Sequence, residues 1–94
     1  MLKITSQEKR ELKAEAHSLK PVVIVGSNGL TPAVLQEINN ALDVHELIKI
    51  RIGEEDRLVR AEVATKICKD THSALIQTIG SIAIIYRKNK KLES

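Results

Sequence analysis

The stretch "KPVVIVGSNGLTPAVLQEI", Lys20 to Ile38, limits the possible folds of this chain more than any other. It passes from an apolar run, through two glycines, into a helical pattern. Pro21–Val25 is apolar at consecutive positions and reads as a short strand buried on both faces. Thr31-Pro32 opens a helix. Threonine is a good N-cap, and proline suits the first helical position, where its missing N–H would be unpaired in any case. Leu30 and Leu35 are spaced as a hydrophobic staple, and Val34, Leu35, Ile38 and Leu42 form the buried stripe. The next strand is "LIKIRI", Leu47–Ile52. It alternates, with Ile48, Ile50 and Ile52 on a core face and Leu47, Lys49 and Arg51 on a face at least partly wet. A strand–helix–strand unit favours parallel pairing with a right-handed crossover.

The flanking segments complete the domain. Thr5-Ser6-Gln7-Glu8 has capping-box spacing, and a helix runs from it to about His17. Its apolar stripe is thin (Leu12, Ala16, Leu19), and Arg10, Lys13, His17 and Lys20 share the opposite face. After Gly53, "EEDR" starts a third helix, whose dipole Glu54, Glu55 and Asp56 complement. Val59, Val63 and Ile67 form its apolar row, with Ala64 and Cys68 beside it. Ala74–Ile79 and Ile82–Tyr86 are strands joined by Gly80-Ser81, and glycine in first place suits a type II′ turn. The expected fold is α/β (α+β): one compact domain over residues 1–94, in the order α-β-α-β-α-β-β. A four-stranded mixed sheet carries at least the second and third helices on one face, and a basic tail covers about residues 88–94.

Composition excludes several classes. No apolar run approaches the about 20 residues of a membrane span, and "MLKITSQEKR" lacks the apolar core of a secretory signal. The single cysteine, Cys68, cannot form an internal disulfide and suits a reducing cytoplasm; on its apolar helical face it reads as a small core residue. His17, His45 and His72 are far apart, with no ligand partners at metal spacing. No catalytic constellation is assembled, so no enzyme, cofactor, metal or small-molecule substrate is expected. The net charge of +3 is unevenly placed. Residues 1–20 carry five Lys and Arg against three Glu, residues 21–80 six against eight acids, and residues 81–94 four against one. Basic ends on a mildly acidic middle suit a polyanion partner.

Gly26-Ser27-Asn28-Gly29 then admits two readings. A strand-to-helix junction needs a turn, and glycine and asparagine both tolerate positive φ. Alternatively, two residues without side chains admit another backbone closely, beside a helix N-terminus that favours anions. The spacing lacks the third glycine of a dinucleotide fingerprint and the Gly-Lys-Ser/Thr of a nucleotide-phosphate loop. It matches the Gly-x-x-Gly loop that clamps nucleotide backbones in KH domains.

Together with "AHSLKPVVIVGSNGLT", Ala16–Thr31, the blocks "HELIKI", His45–Ile50, and "IGSIAIIYR", Ile79–Arg87, resemble the CRM domain, the chloroplast RNA splicing and ribosome maturation family, in its standalone bacterial YhbY-like form. The resemblance implies an RNA-binding domain with a fold similar to the C-terminal domain of translation initiation factor three. It also implies association with large-subunit ribosomal precursors, and it maps the family's loop onto Gly26, Ser27, Asn28 and Gly29, leading to Thr31. Many members carry a cation between the glycines, where this chain has Ser27 and Asn28. The charge must then come from the Arg10, Lys13, His17 and Lys20 face, from Lys49 and Arg51 on the second strand, and from Arg87, Lys88, Lys90 and Lys91 after the last strand. Tyr86 is the only aromatic residue, so stacking platforms cannot carry recognition. A monomer binding RNA in the cytoplasm is expected; the alternative is an adaptor that holds a protein partner through its sheet face or basic ends.

Overall fold

A computed structural model describes residues 4–26 and 28–88. The elements are α1 (Ser6–Ala16), β1 (Pro21–Val25), α2 (Pro32–His45), β2 (Leu47–Ile52), α3 (Arg57–Thr71), β3 (Ala74–Ile79) and β4 (Ile82–Tyr86). Ser27 and the tail from residue 89, with Lys90 and Lys91, lie outside the described residues.

Each helix starts where a polar side chain takes up an unpaired N–H. The Glu8 N–H donates to Thr5 Oγ1 and the Thr5 N–H to Glu8 Oε1, each at 3.1 Å, closing the capping box of α1. Thr31 Oγ1 accepts from the Val34 N–H, with Pro32 in the first turn of α2. At α3 the structure corrects the sequence reading. The helix begins at Arg57, so "EEDR" precedes it, and Asp56 is the N-cap, accepting from the N–H groups of Leu58 and Val59. An aspartate that satisfies two amide donors outside the helix gains more than one inside it, where it competes with the backbone.

The strands form one mixed sheet in the order β1-β2-β4-β3. β1 and β2 are parallel, and β4 is antiparallel to both β2 and β3. The β3–β4 hairpin turns at Gly80, whose φ is +56°, while Ser81 is not among the positive-φ residues; this fits type II′ and not type I′. α2 and α3 cover one face, where Val23, Val25, Ile38, Leu42, Ile48, Ile50, Ile52, Ala64, Ile67, Ala83 and Ile85 form the main core. α1 covers part of the other face, where Ala16, Leu47, Ile76 and Ile84 are buried, with Leu12 and Leu19 packed on them.

β1 departs from expectation. Val23 and Val25 are buried, but Val22 and Ile24 are 51% and 64% exposed. The consecutive apolar run reads as a strand covered on both sides. Yet β1 is an edge strand, and α1 packs across β2 and β3 instead of over it. β2 keeps its alternation: Ile48, Ile50 and Ile52 enter the main core, Leu47 is buried beneath α1, Lys49 is half-buried and Arg51 is exposed.

Candidate functional site

The parallel strands β1 and β2 finish side by side, and each leads into a helix. Gly26, just past β1, therefore lies beside Gly53, just past β2, and the Gly53 N–H donates to the Val25 carbonyl at 2.9 Å. The hairpin joins the same end through the Ile52 N–H, which donates to the Ser81 carbonyl at 2.7 Å. Loops beyond the carboxyl ends of parallel strands are the usual place for a site in such sheets.

The glycine loop is held by a bond from the Gly29 N–H to the Gly26 carbonyl, 3.0 Å. Its two glycines are not equivalent. Gly29 has φ +76°, a conformation that strains any residue with a Cβ. Gly26 has no positive φ, and a Cβ placed on it would meet nothing within 4 Å. The turn thus accounts for Gly29 and not for Gly26. Asn28 is exposed and Thr31 half-buried. Two donors of the first turn of α2 are closed to a ligand, since Pro32 has none and the Val34 N–H is taken by Thr31.

The sequence-predicted cations are scattered. Arg10, His17 and Lys20 are exposed on α1 and the linker after it, and Lys13 is half-buried. Lys20 precedes the start of β1, whereas Gly26 follows its end. Five strand residues separate them by about 17 Å, so Lys20 and the glycine loop do not form one patch. Lys49 Nζ donates to the Leu19 carbonyl at 3.0 Å and ties β2 to the α1–β1 linker. Arg51 is exposed opposite Ile24, near the loop. Lys88 is exposed past β4.

Arg87 is committed to the fold. Its guanidinium donates to Asn39 Oδ1, the Thr71 carbonyl and Asp43 Oδ1, each at 2.8 Å, and to the Asn39 carbonyl at 3.2 Å. It clasps the end of β4 to α2 and to the last turn of α3. By sequence alone it falls among the cations of the tail, because charge is visible in a sequence and donor satisfaction is not.

Two cations near the loops were not singled out from the sequence. Arg60 Nη1 donates to the carbonyls of Glu54 and Glu55, at 2.8 and 3.0 Å, and latches the β2–α3 loop. Its Nε is buried without a hydrogen-bond partner. Arg57 and Arg60 line a cavity of about 60 Å³ together with Thr78, Gly80 and Ser81. Their place at the start of α3, directly after the acids, was the available signal. Two of those acids make local bonds: Glu54 Oε2 accepts from the Asp56 N–H, and Asp56 Oδ1 caps α3. Burial pushes the Cys68 thiol up, opposed by a hydrogen bond from Ser73, so it is held away from the reactive thiolate form. Among the described residues no group of three or more His, Cys, Asp or Glu could hold a metal ion, and no helix is long and apolar enough to cross a membrane.

Fold and loop together define a small α/β domain that presents a Gly-x-x-Gly turn at the carboxyl end of a parallel strand pair. The CRS1/YhbY (CRM) domain model matches residues 4–87, and the chain belongs to that family. An RNA-binding protein of Haemophilus influenzae is 43% identical over 91 residues, covering 97% of this chain and 92% of its own length. A Pseudomonas aeruginosa protein named as a probable RNA-binding protein is also 43% identical, over 88 residues, 94% of this chain and 85% of its own. The solution structure of a hypothetical Staphylococcus aureus protein superimposes with a TM-score of 0.84 at 32% identity, covering 94% of this chain and 92% of that one.

Proposed function

We propose that this chain binds RNA, with the sugar–phosphate backbone received at Gly26, Ser27, Asn28 and Gly29. The observation that carries the reading is Gly26. Neither its φ nor its surroundings demand glycine, and the space a side chain would fill is left open. A partner backbone that approaches this position gives the missing Cβ a reason. Membership of the CRM family, whose relatives above are named as RNA-binding proteins, supports the same conclusion.

The remaining parts follow from charge. Arg51 is an exposed cation close to the loop, while Arg10, Lys13, Lys20 and Lys88 add sequence-independent attraction from other parts of the surface, and His17 lies on the same face as the α1 cations. Arg87 spends its guanidinium donors inside the fold and Lys49 ties its ammonium to the Leu19 carbonyl, and neither is assigned an RNA contact. With one aromatic residue in the chain, recognition rests on backbone and shape. The RNA is ribosomal, within precursors of the large subunit, and the protein acts there as a cytoplasmic, non-enzymatic monomer.

Titrating a labelled single-stranded RNA with the wild type and Gly26→Ala over a range of salt tests this. The wild-type log affinity should fall linearly with log salt, by about 0.7 per neutralised phosphate. Gly26→Ala should melt at or slightly above the wild-type temperature, because alanine loses less freedom on folding. Its affinity should fall about tenfold, the equivalent of removing one charge-assisted hydrogen bond. Unaltered affinity in the stable variant removes the loop from the interface. Binding that ignores salt favours the protein-adaptor reading.

A further inference from the structure

Three of the five large hydrophobic side chains exposed among the described residues lie on one surface. Val22 and Ile24 of β1 and Ile79 of β3, 54% exposed, all point to the α1 side of the sheet. Register places Ile24 and Ile79 in one line, while Val22 sits beside it at the irregularity that shifts β1 against β2 between Pro21 and Val23. Ile24 pairs with Arg51, Arg51 with Ile82, and Ile82 with Ile79. A single row therefore crosses all four strands, about 14 Å wide, with an exposed arginine between aliphatic neighbours. α1 leaves the row open because its stripe packs on the other half of this face, around Leu47, Ile76 and Ile84. Ile24 stands two residues before Gly26, so the row borders the glycine loop.

We propose that this open row receives the unpaired bases of the RNA whose backbone the glycine loop holds; the inference rests on that reading. A nucleotide combines an anionic backbone with flat, largely apolar base faces. The row offers the complement: aliphatic side chains to cover the bases, and a guanidinium plane in their midst on which a base can stack. It also supplies what a chain with one aromatic residue otherwise lacks, a surface for bases that does not depend on aromatic stacking. A second copy of this chain suits the surface less well. The open side chains offer on the order of a few hundred Å², against about 800 Å² per partner in a stable complex. A two-fold contact through this row would also bring Arg51 toward its own copy.

The bases must be splayed to reach the row, so it selects single-stranded over duplex RNA and tolerates any base. The test compares an RNA oligonucleotide with an abasic ribose–phosphate oligomer of the same length, each titrated with full-length wild type, Ile24→Ser and Val22→Ser. Ile24→Ser should bind intact RNA about five- to tenfold more weakly, the worth of covering half an isoleucine, and Val22→Ser somewhat less so. Both should bind the abasic oligomer as the wild type does, which also reports that they are folded. Equal losses on both probes, no loss on either, or a wild type that binds neither overturns the proposal. Gly26→Ala separates it from the loop reading. That variant should weaken both probes; if it weakens neither while Ile24→Ser still loses only intact RNA, the base surface stands without the loop. Sedimentation equilibrium covers the remaining occupant, since a dimer that Ile24→Ser converts to monomer assigns the row to a second copy and overturns the proposal.

Discussion

The two ends of the sheet treat their polar groups in opposite ways. Where β4 finishes, the Arg87 guanidinium donates to Asn39, Asp43 and Thr71 and binds three elements into one unit. Where β1 and β2 finish, Gly26 is exposed, its missing side chain unreplaced by any neighbour, with Arg51 exposed close by. Both ends are built where strands finish beside α2 and α3. At one end the donors are used within the chain and hold it together; at the other, backbone and charge face outward. A cation contributes to binding only if folding has left its donors unused, so counting Lys and Arg does not locate an interface.

The largest expected effect breaks the closed end. Arg87→Met keeps most of the volume but removes the donors to four acceptors, and should cost about 2–4 kcal/mol of stability, measured by urea unfolding. RNA affinity, measured where the variant remains folded, should be unchanged. A large affinity loss would show that this end also meets RNA.

Reversing charge on α1 tests whether binding extends beyond the open end. Arg10→Glu, Lys13→Glu and Lys20→Glu together should weaken RNA binding and reduce the magnitude of its salt slope by about 0.7 for each phosphate no longer neutralised. An unchanged slope in the folded variant would confine binding to the loop end.

Gly29 sharpens the contrast within the open end. Gly29→Ala places a Cβ at φ +76° and should cost about 1–2 kcal/mol in thermal unfolding, whereas Gly26→Ala costs nothing. Equal stability of the two would mean that the turn relaxes and that the glycines cannot be assigned separate roles.

The smallest expected effect is Asn28→Asp. Aspartate tolerates turn conformations, and the N-terminus of α2 favours a carboxylate, so stability should be equal or slightly higher. The added charge stands where a phosphate is expected, and affinity should fall about three- to tenfold at low salt. Unaltered affinity would place the phosphate away from Asn28.

Much of the architecture was legible before the fold was known, because it is written in local terms. The Thr5–Glu8 box, the Thr31-Pro32 start and the Gly80-Ser81 turn act within a few residues, where spacing alone fixes which groups can meet. The alternation of "LIKIRI" likewise assigned the Ile48, Ile50 and Ile52 face to the core. Strand–helix–strand order predicted parallel pairing of β1 with β2, because a crossover of that length has one favoured hand and direction.

The sequence by itself thus determined the elements, their order and the position of the glycine turn. Only the tertiary structure decided which face of β1 stays open, which of the two glycines the backbone requires, and which cations are spent. Val22 and Ile24 have the composition of a core strand, and they are exposed because α1 comes to rest on β2 and β3. Arg87 and Arg51 are the same residue type, one just past the end of β4 and the other on the neighbouring strand β2. They differ because the acceptors that claim Arg87 come from Asn39, Asp43 and Thr71, up to 48 positions away. Exposure and donor satisfaction depend on partners brought together across the chain, and such pairings leave no periodicity for a sequence to show.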